Sequence, residues 1–393
     1  MTTEEVELGT SREGRPVVGY RFAGDPGSTP TRVSLLAGCH ADEPVGPRLL
    51  RHLVDHLKSL PQDDPLLAGM EWWIVPHANP DGEERNRGWQ GSSGGSGLMP
   101  SAAGPAAGSS ETGTAEAGAS EAKPSDPLPE VYDLPAYLTH AVRELPGDDM
   151  EFGFPRGPGD RDARPENQAI YRWWRTAPGP FHLHVSLHGM GFAAGPWLLI
   201  EPTWAERARP LREAFRERAR ELGYVLHDVE RLGEKGFFRL ERGFATRPDS
   251  RHMRDHFLAR GDPETASRFR PSSMETIRRL SLGSGPGAAG PVDADPLTLV
   301  TEMPLFLTPG AGETPGPPDP AAKEWKDRID GWRGALAKGA EPRGVREEAR
   351  TAGLTPMPVR DQMALQWEAV AQGIELVRPG APAACAPPQP FIR

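Results

Sequence analysis

The sequence predicts a single α/β domain in which helices flank a central mixed, largely parallel β-sheet. Residues 31–38 and 71–76 are short apolar runs that indicate buried strands. The segment between them, 44–60, has the three- and four-residue leucine spacing of a helix. Strand, helix, strand is the repeating unit of a parallel sheet. The 393 residues, 37% of them hydrophobic, are enough for one large core.

The remaining elements are predicted from local periodicity. Residues 14–24 form a β-branched and apolar run bounded by Gly and Pro, which predicts an earlier strand. Residues 181–188 alternate apolar and polar side chains, as a strand does, and 297–300 form another buried strand. Amphipathic spacing predicts further helices, at 164–175, 204–222, 323–338 and 361–377.

Residues 91–128 interrupt this pattern. They are rich in Gly, Ser, Ala, Thr and Pro, with almost no large apolar residue to bury, so we predict a low-complexity, disordered surface insertion. We therefore expect one domain over residues 1–310. The helices of residues 311–393 are expected to pack on the same domain.

Composition and charge exclude several classes of protein. A formal net charge of −10 argues against a nucleic-acid surface, and no apolar run approaches the roughly 18 residues of a membrane span. The first residues lack the basic and apolar regions of a secretory signal, and Cys39 and Cys385 are too few for a disulfide framework. We expect a cytoplasmic protein with neither nucleic-acid nor membrane partners, whose oligomeric state stays open.

A histidine and a carboxylate lie together where the strand at 31–38 ends. The segment 38–43 (GCHADE) precedes the predicted helix, and ligands bind at this edge of α/β sheets. His40 and Glu43 are three residues apart, so both can face one cation, and zinc accepts nitrogen and oxygen ligands. His40 and Glu43 are therefore a candidate metal-binding pair, although an HxxE pattern also occurs often in ordinary surface turns.

A second polar cluster follows the strand at 71–76. Residues 79–82, Asn-Pro-Asp-Gly, have the composition of a tight turn, in which Pro fixes one dihedral and Gly permits a positive one. Beyond it, Arg85 and Arg87 offer charge-assisted donors for a substrate carbonyl or carboxylate. The alternative is a plain turn that happens to precede basic residues.

Three histidines, His182, His184 and His188, are separated by even numbers of residues. A regular strand would therefore place all three on one face of the sheet. Any of them can serve as a metal ligand, and His188 is favoured because it lies at the end of the predicted strand. The competing interpretation is that strand histidines are usually structural.

Glu302 follows the buried strand at 297–300. A partly buried carboxylate near a metal could take a proton from water at the metal and pass it to a leaving group. A solvated glutamate at a strand end is the alternative interpretation. Each of these four clusters is ordinary alone, but their order and their shared placement at strand ends are not.

The order of the motifs resembles the zinc metallocarboxypeptidase family, the carboxypeptidase A-like enzymes. Five segments match the family's motifs in sequence order: 8–16, 38–46, 79–87, 164–169 and 186–189. The resemblance implies the fold of that family and a zinc cofactor. It also implies the roles of individual residues: zinc ligands His40, Glu43 and His188, general base Glu302, and Arg85 or Arg87 to polarise the scissile carbonyl.

Two departures from the family concern substrate recognition. The family's Asn–Arg pair, which grips a terminal carboxylate, falls at Glu151 and Phe152 here. An anionic Glu151 would repel a carboxylate unless Arg156 or another cation takes over. The tyrosine that often precedes the base is also missing from residues 225–301. The predicted substrate-binding residues are Asn86, Glu151 and Arg156.

Three functions are consistent with these residues. The first is a zinc-dependent metallocarboxypeptidase-like hydrolase of a peptide or small amide substrate. The second is a deacylase of small N-acyl amino acids that resembles aspartoacylases and succinylglutamate desuccinylases, which share the metal pattern. The third is a catalytically silent binding protein of the same fold. The Asn-Pro-Asp-Gly and Thr-Glu-Met-Pro contexts favour the carboxypeptidase type.

Overall fold

The computed structural model describes most of the chain, namely residues 2–23, 30–91, 129–228, 230–283, 295–313 and 319–378. The predicted insertion lies outside the described residues from position 92 to its end, and so does Cys385. Each helix within the described ranges is too short or too polar to cross a lipid bilayer.

Ten strands form one mixed sheet: β1 (Thr2–Thr10), β2 (Pro16–Ala23), β3 (Thr31–Ala37), β4 (Met70–Val75), β5 (Leu183–Ala193), β6 (Trp197–Ile200), β7 (Arg239–Glu241), β8 (Phe244–Thr246), β9 (Leu297–Leu307) and β10 (Thr355–Pro356). The order is β1-β2-β4-β3-β5-β9-β6-β8-β7, and β10 pairs with β9. The central strands β4, β3, β5 and β9 run parallel, whereas β1, β2 and β6 join antiparallel. The predicted central, largely parallel sheet is confirmed.

The helices of the described chain are α1 (Val45–Ser59), α2 (Pro80–Gln90), α3 (Leu134–His140), α4 (Pro165–Trp174), α5 (Arg209–Glu221), α6 (Ser250–Ala259), α7 (Pro263–Arg268), α8 (Ser273–Leu282), α9 (Pro320–Ala337), α10 (Pro342–Thr351) and α11 (Val359–Val377). One face of the sheet buries apolar side chains against α1, α5 and α11, and the other against α4 and α8. A sheet covered on both faces explains why β3 and β4 are buried throughout their length.

Local patterns account for the elements that position the site. In α1 the buried residues form one stripe, Leu49, Leu50, Leu53, Val54 and Leu57, which packs on the sheet as its spacing predicts. The C-terminal helix α11 packs against β9, β5 and α5, so it supports the central strands from behind.

Two local predictions are wrong. His188 and Glu302 do not lie at strand ends, because β5 and β9 continue their parallel pairing as far as Ala193 and Leu307. Residues 79–82 do not form a tight turn. Asn79 caps α2 instead, its side chain accepting a hydrogen bond from the Gly82 amide, and Pro80 occupies the first helical position, where its missing donor costs nothing.

Candidate metal centre

Two loop residues and one strand residue form the centre of the site. His40 and Glu43 lie in the connection between β3 and α1, and His188 lies within the neighbouring strand β5. Gly38 begins this connection with φ +69°, and a Cβ there would lie only 2.4 Å from His77 Nδ1. Only glycine therefore permits the turn that leads from β3 to His40.

The three predicted ligands have their donor atoms close together. His40 Nδ1 lies 2.7 Å from Glu43 Oε1, and His188 Nδ1 lies 3.0 Å from Glu43 Oε2. The two Nδ1 atoms are 3.2 Å apart. Ligands of a tetrahedral zinc with bonds of about 2.0–2.1 Å are separated by about 3.3 Å. Two imidazoles and one carboxylate at this spacing fit a zinc ion with one coordination position left open.

The Glu43 carboxylate at the centre of the cluster is ionised near neutral pH. Burial opposes ionisation of Glu43, but the nearby His40, Arg143 and His188 hold the pKa of its carboxyl well below the ordinary value. Burial also favours neutral His188, but the Glu43 carboxylate above all raises the pKa of that imidazole. Protons therefore compete with a metal for His188, and metal affinity falls in acid.

Glu151 orients His188 from the side opposite Glu43. Its Oε2 lies 3.1 Å from His188 Nε2 and accepts a hydrogen bond from Ser186 Oγ at 2.9 Å. Its Oε1 accepts from the backbone N and from Oγ of Ser273, at 2.9 and 2.8 Å. Burial opposes the charge, but these bonds lower the pKa of Glu151 to about 2. Because a carboxylate only accepts, Nε2 of His188 carries a proton, and the ring offers Nδ1 to the metal position once the metal has displaced the Nδ1 proton.

A second group of donors, Cys39, Glu151 and His188, also lies within ligating distance. Both carboxylate oxygens of Glu151 already accept hydrogen bonds from serines, and burial raises the pKa of the Cys39 thiol to about 12. A metal there would have to displace those bonds and deprotonate the thiol. The group with His40 and Glu43 is therefore the better metal site, and Cys39 is not a nucleophile at neutral pH.

Glu302 lies beside the cluster. In the parallel pairing of β5 and β9 it is the register partner of His188, so both side chains leave the sheet on the same face. Burial and the Glu43 charge raise the pKa of Glu302 to about 7, against the influence of His188. Within the described chain this carboxylate forms no hydrogen bond or ion pair, so it is free to exchange a proton near neutral pH.

Arg143 contacts the cluster and was not predicted from the sequence. Its Nη2 lies 2.9 Å from His40 Nδ1, and its Nη1 lies 2.9 Å from Glu43 Oε1 and 3.0 Å from Asp42 Oδ1. Asp42 is itself held by the Tyr137 hydroxyl at 3.2 Å. The Arg143 side chain is 43% exposed, so this arginine lies on the open side of the cluster.

Asn86 supports the segment that carries Arg143. It is fully buried, its Oδ1 accepts from the Val142 amide at 2.9 Å, and its Nδ2 donates to the Val142 carbonyl at 2.9 Å. The amide is thus bonded to the backbone directly before Arg143. No spacing rule could have paired positions 86 and 143, because the residues between them include the low-complexity stretch.

The other predicted arginines lie outside this cluster. Arg85 forms an ion pair with Glu13, and Arg87 pairs with Glu84 one turn earlier in α2. Arg156 is exposed, and its Nη2 donates to the Phe269 carbonyl. The structure brings together His40, Glu43, His188, Glu302 and Glu151, and it does not bring Arg85, Arg87 or Arg156 to them.

The N-terminal part of the chain matches a known family. Residues 2–94 match the family model described as zinc carboxypeptidase, and this span includes His40 and Glu43. The resemblance predicted from the sequence is confirmed. No curated protein matches the chain significantly.

Several solved structures have a similar arrangement at low sequence identity. A candidate metallopeptidase from Shewanella amazonensis is 12% identical, with a TM-score of 0.46 over 95% of this chain and 87% of that one. Carboxypeptidase A from Helicoverpa armigera is 13% identical, with a TM-score of 0.44 over 95% and 68% of the two chains. A metallo-carboxypeptidase from Burkholderia cenocepacia is 14% identical, with a TM-score of 0.41 over 95% and 64%.

Proposed function

We propose that this protein is a zinc-dependent hydrolase that cleaves a peptide or other amide bond in a peptide or small amide substrate. One observation carries the proposal: the donor atoms of His40, Glu43 and His188 lie within 4.8 Å of one another, with Glu302 on the same face. The match of residues 2–94 to zinc carboxypeptidases supports zinc as the metal. The buried, unpaired thiol of Cys39 is consistent with the proposed cytoplasmic location.

Each residue of the cluster has a defined task in this reaction. Zinc, when bound, supplies a Lewis acid and lowers the pKa of water at its open position. Glu302, whose pKa lies near neutrality, takes a proton from the attacking water and returns it to the leaving nitrogen. Arg143 donates to the substrate carbonyl oxygen as negative charge develops there, a role that the sequence assigned to Arg85 or Arg87.

A deacylase of small N-acyl amino acids is the second candidate. The segment where the related peptidases hold a terminal carboxylate departs from the carboxypeptidase pattern in this chain. Glu151 is bonded to His188 and Ser273 there, and Phe152 is buried against Phe269 with ring centroids 5.6 Å apart. Neither side chain presents a cation to a peptide C-terminus.

The test is an assay of zinc-loaded protein against three substrate classes: N-acyl dipeptides, cell-wall-type peptides and N-acyl amino acids. Glu302→Gln keeps the shape and removes the base, so we expect about 10²- to 10⁴-fold slower hydrolysis with unchanged zinc content. The class cleaved fastest by the wild type separates peptidase from deacylase. Zinc binding without any hydrolysis that depends on Glu302 would instead show a silent binding protein.

A further inference from the structure

Arg231 lies close to the proposed site, on the connection between α5 and β7, where the Glu302 charge acts on it through space. Its guanidinium carbon is 4.6 Å from the centre of the Phe237 ring, and that ring packs against Trp197 with centroids 6.2 Å apart. Trp197 in β6 is the register partner of Glu302 in β9. These contacts place Arg231 across one layer of aromatic side chains from the proposed base.

The wall between Arg231 and Glu302 is apolar. Trp197 belongs to a small buried cluster with Met274 and Val300, against which Met190 and Phe237 pack while staying partly exposed. The Trp197 indole donates to Met190 Sδ at 3.2 Å, which satisfies its only polar atom. This side of the site therefore offers apolar surface and, at its margin, one guanidinium.

The Arg231 guanidinium is not paired with a carboxylate of the described residues. Within the described ranges no carboxylate forms an ion pair or hydrogen bond with it, although Glu234 and Glu302 act on it through space. Burial lowers the pKa of Arg231, and the side chain is half-buried. A partly desolvated guanidinium with five donors is satisfied best by a carboxylate, which it can bind with two parallel hydrogen bonds.

The backbone after Arg231 is strained. Leu232 and Lys235 have φ of +51° and +57°, and they are the two non-glycine residues with positive φ in the described part of the chain. Side chains other than glycine rarely adopt this region, and such positions cluster at ligand-binding and active sites. The backbone strain at Leu232 and Lys235 is thus a second observation, independent of charge, on the loop that carries Arg231.

We propose that Arg231 is a specificity-determining residue of this chain and binds a carboxylate of the substrate, a task for which the related peptidases use the segment occupied here by Glu151 and Phe152. The inference rests on the proposed hydrolase function and assigns that task to a residue on a different loop. Glu151 contacts His188 and Phe152 packs against Phe269, so neither offers a cation to the substrate. Arg231 supplies that cation instead.

The first test compares N-benzoylglycyl-phenylalanine with its C-terminal amide, which has the same shape without the charge. Wild-type protein should prefer the carboxylate, and Arg231→Gln should reduce that preference in kcat/KM by about tenfold to a hundredfold, mainly through KM. Arg231→Lys should retain part of it. Arg251→Gln, at an exposed arginine of α6, is the matched control and should behave as the wild type. An unchanged preference in Arg231→Gln would overturn the proposal.

The second test does not depend on turnover. If the wild type cleaves neither probe, the hydrolase function fails for these substrates, but binding still decides the role of Arg231. Calorimetry with zinc-loaded protein compares N-acetyl-phenylalanine with its amide. A carboxylate preference that Arg231→Gln removes, with thermal unfolding unchanged, supports the proposal. No preference in the wild type, or an equal one in the variant, contradicts it.

Discussion

Two buried groups of charged residues lie on the same sheet and differ in how completely their charges are paired. In the first, Arg247 donates to Glu201 at 2.8 Å and to Thr298 Oγ1 at 3.0 Å, and that hydroxyl donates back to Glu201 at 3.0 Å. Next to it, Arg278 donates two hydrogen bonds to Asp295, at 2.7 and 2.8 Å. Each cation of this structural group has a carboxylate of its own.

The proposed metal centre is paired differently. Glu43 faces two imidazoles and a guanidinium at once, and Glu302 faces the same groups with no bond to any of them. Donor atoms of His40, Glu43 and His188 converge on one point, and the pKa of Glu302 rises to about 7. The difference teaches that closed pairing indicates a structural role, whereas converging but incomplete pairing indicates a site for a ligand or metal.

The largest expected effect concerns the structural group. Arg247→Met would leave Glu201 buried without its cation, so the free energy of unfolding should fall by about 3–5 kcal/mol. Urea denaturation measures the change, and zinc content should stay at the wild-type value. Arg251→Met, at an exposed arginine, is the control and should have little effect. Loss of zinc binding in Arg247→Met with stability intact would break the comparison.

Arg143→Gln tests the metal centre from its exposed side. It removes the donor proposed for the carbonyl oxygen, so kcat/KM should fall by about 10²- to 10³-fold while zinc stays bound. Arg85→Gln serves as the control because that side chain pairs with Glu13. Loss of activity in Arg85→Gln, together with full activity in Arg143→Gln, would show that Arg85 and not Arg143 polarises the carbonyl.

Glu151→Gln weakens the support of His188 without removing a ligand. Zinc affinity should fall by about 10- to 100-fold, as expected for the partner of a metal-bound histidine. Competition with a chelating dye measures the affinity, with the exposed Glu213→Gln as control. An affinity equal to that of the wild type would mean that Glu151 does not orient His188.

The smallest effect is on stability in acid. Burial lowers the pKa of His77 and of His184 to about 4. Below about pH 6.5, the ordinary pKa of histidine, these two rings become protonated in the unfolded chain but stay neutral in the folded chain. In metal-free protein each of these two histidines should therefore contribute a loss of about 1 kcal/mol between about pH 6.5 and 5.5. Urea midpoints of the wild type and of His184→Asn across this range isolate the contribution of His184, and the variant should lose about 1 kcal/mol less than the wild type. An equal acid loss in the two proteins would show that the His184 ring is protonated when folded.

Much of the fold could be predicted because its signals are local. The burial stripe of α1 and the apolar runs of β3 and β4 depend on neighbours within a few residues. By contrast, β6 and β10 have four and two residues, and they form by pairing with strands that are distant in the sequence.

The residues of the site also divide into those that a local pattern reveals and those that only the folded chain brings together. His40 and Glu43 are close in sequence, so their spacing made them a candidate metal pair, and the order of the other motifs supported the assignment. Arg143 meets His40 across 103 residues, and Glu151 meets Ser273 across 122. Such contacts are set by the packing of loops around the sheet, which no local pattern encodes. For that reason the resemblance suggested a substrate-binding role for Glu151, whereas the structure bonds it to His188.

Zinc titration of the metal-free protein tests the central claim most directly, with His40→Ala and His188→Ala as paired variants. The account predicts one tightly bound zinc per wild-type chain, and loss of that binding in both variants while circular dichroism stays unchanged. Reconstituted wild-type protein without zinc, or variants that bind it as well as the wild type, would contradict the account.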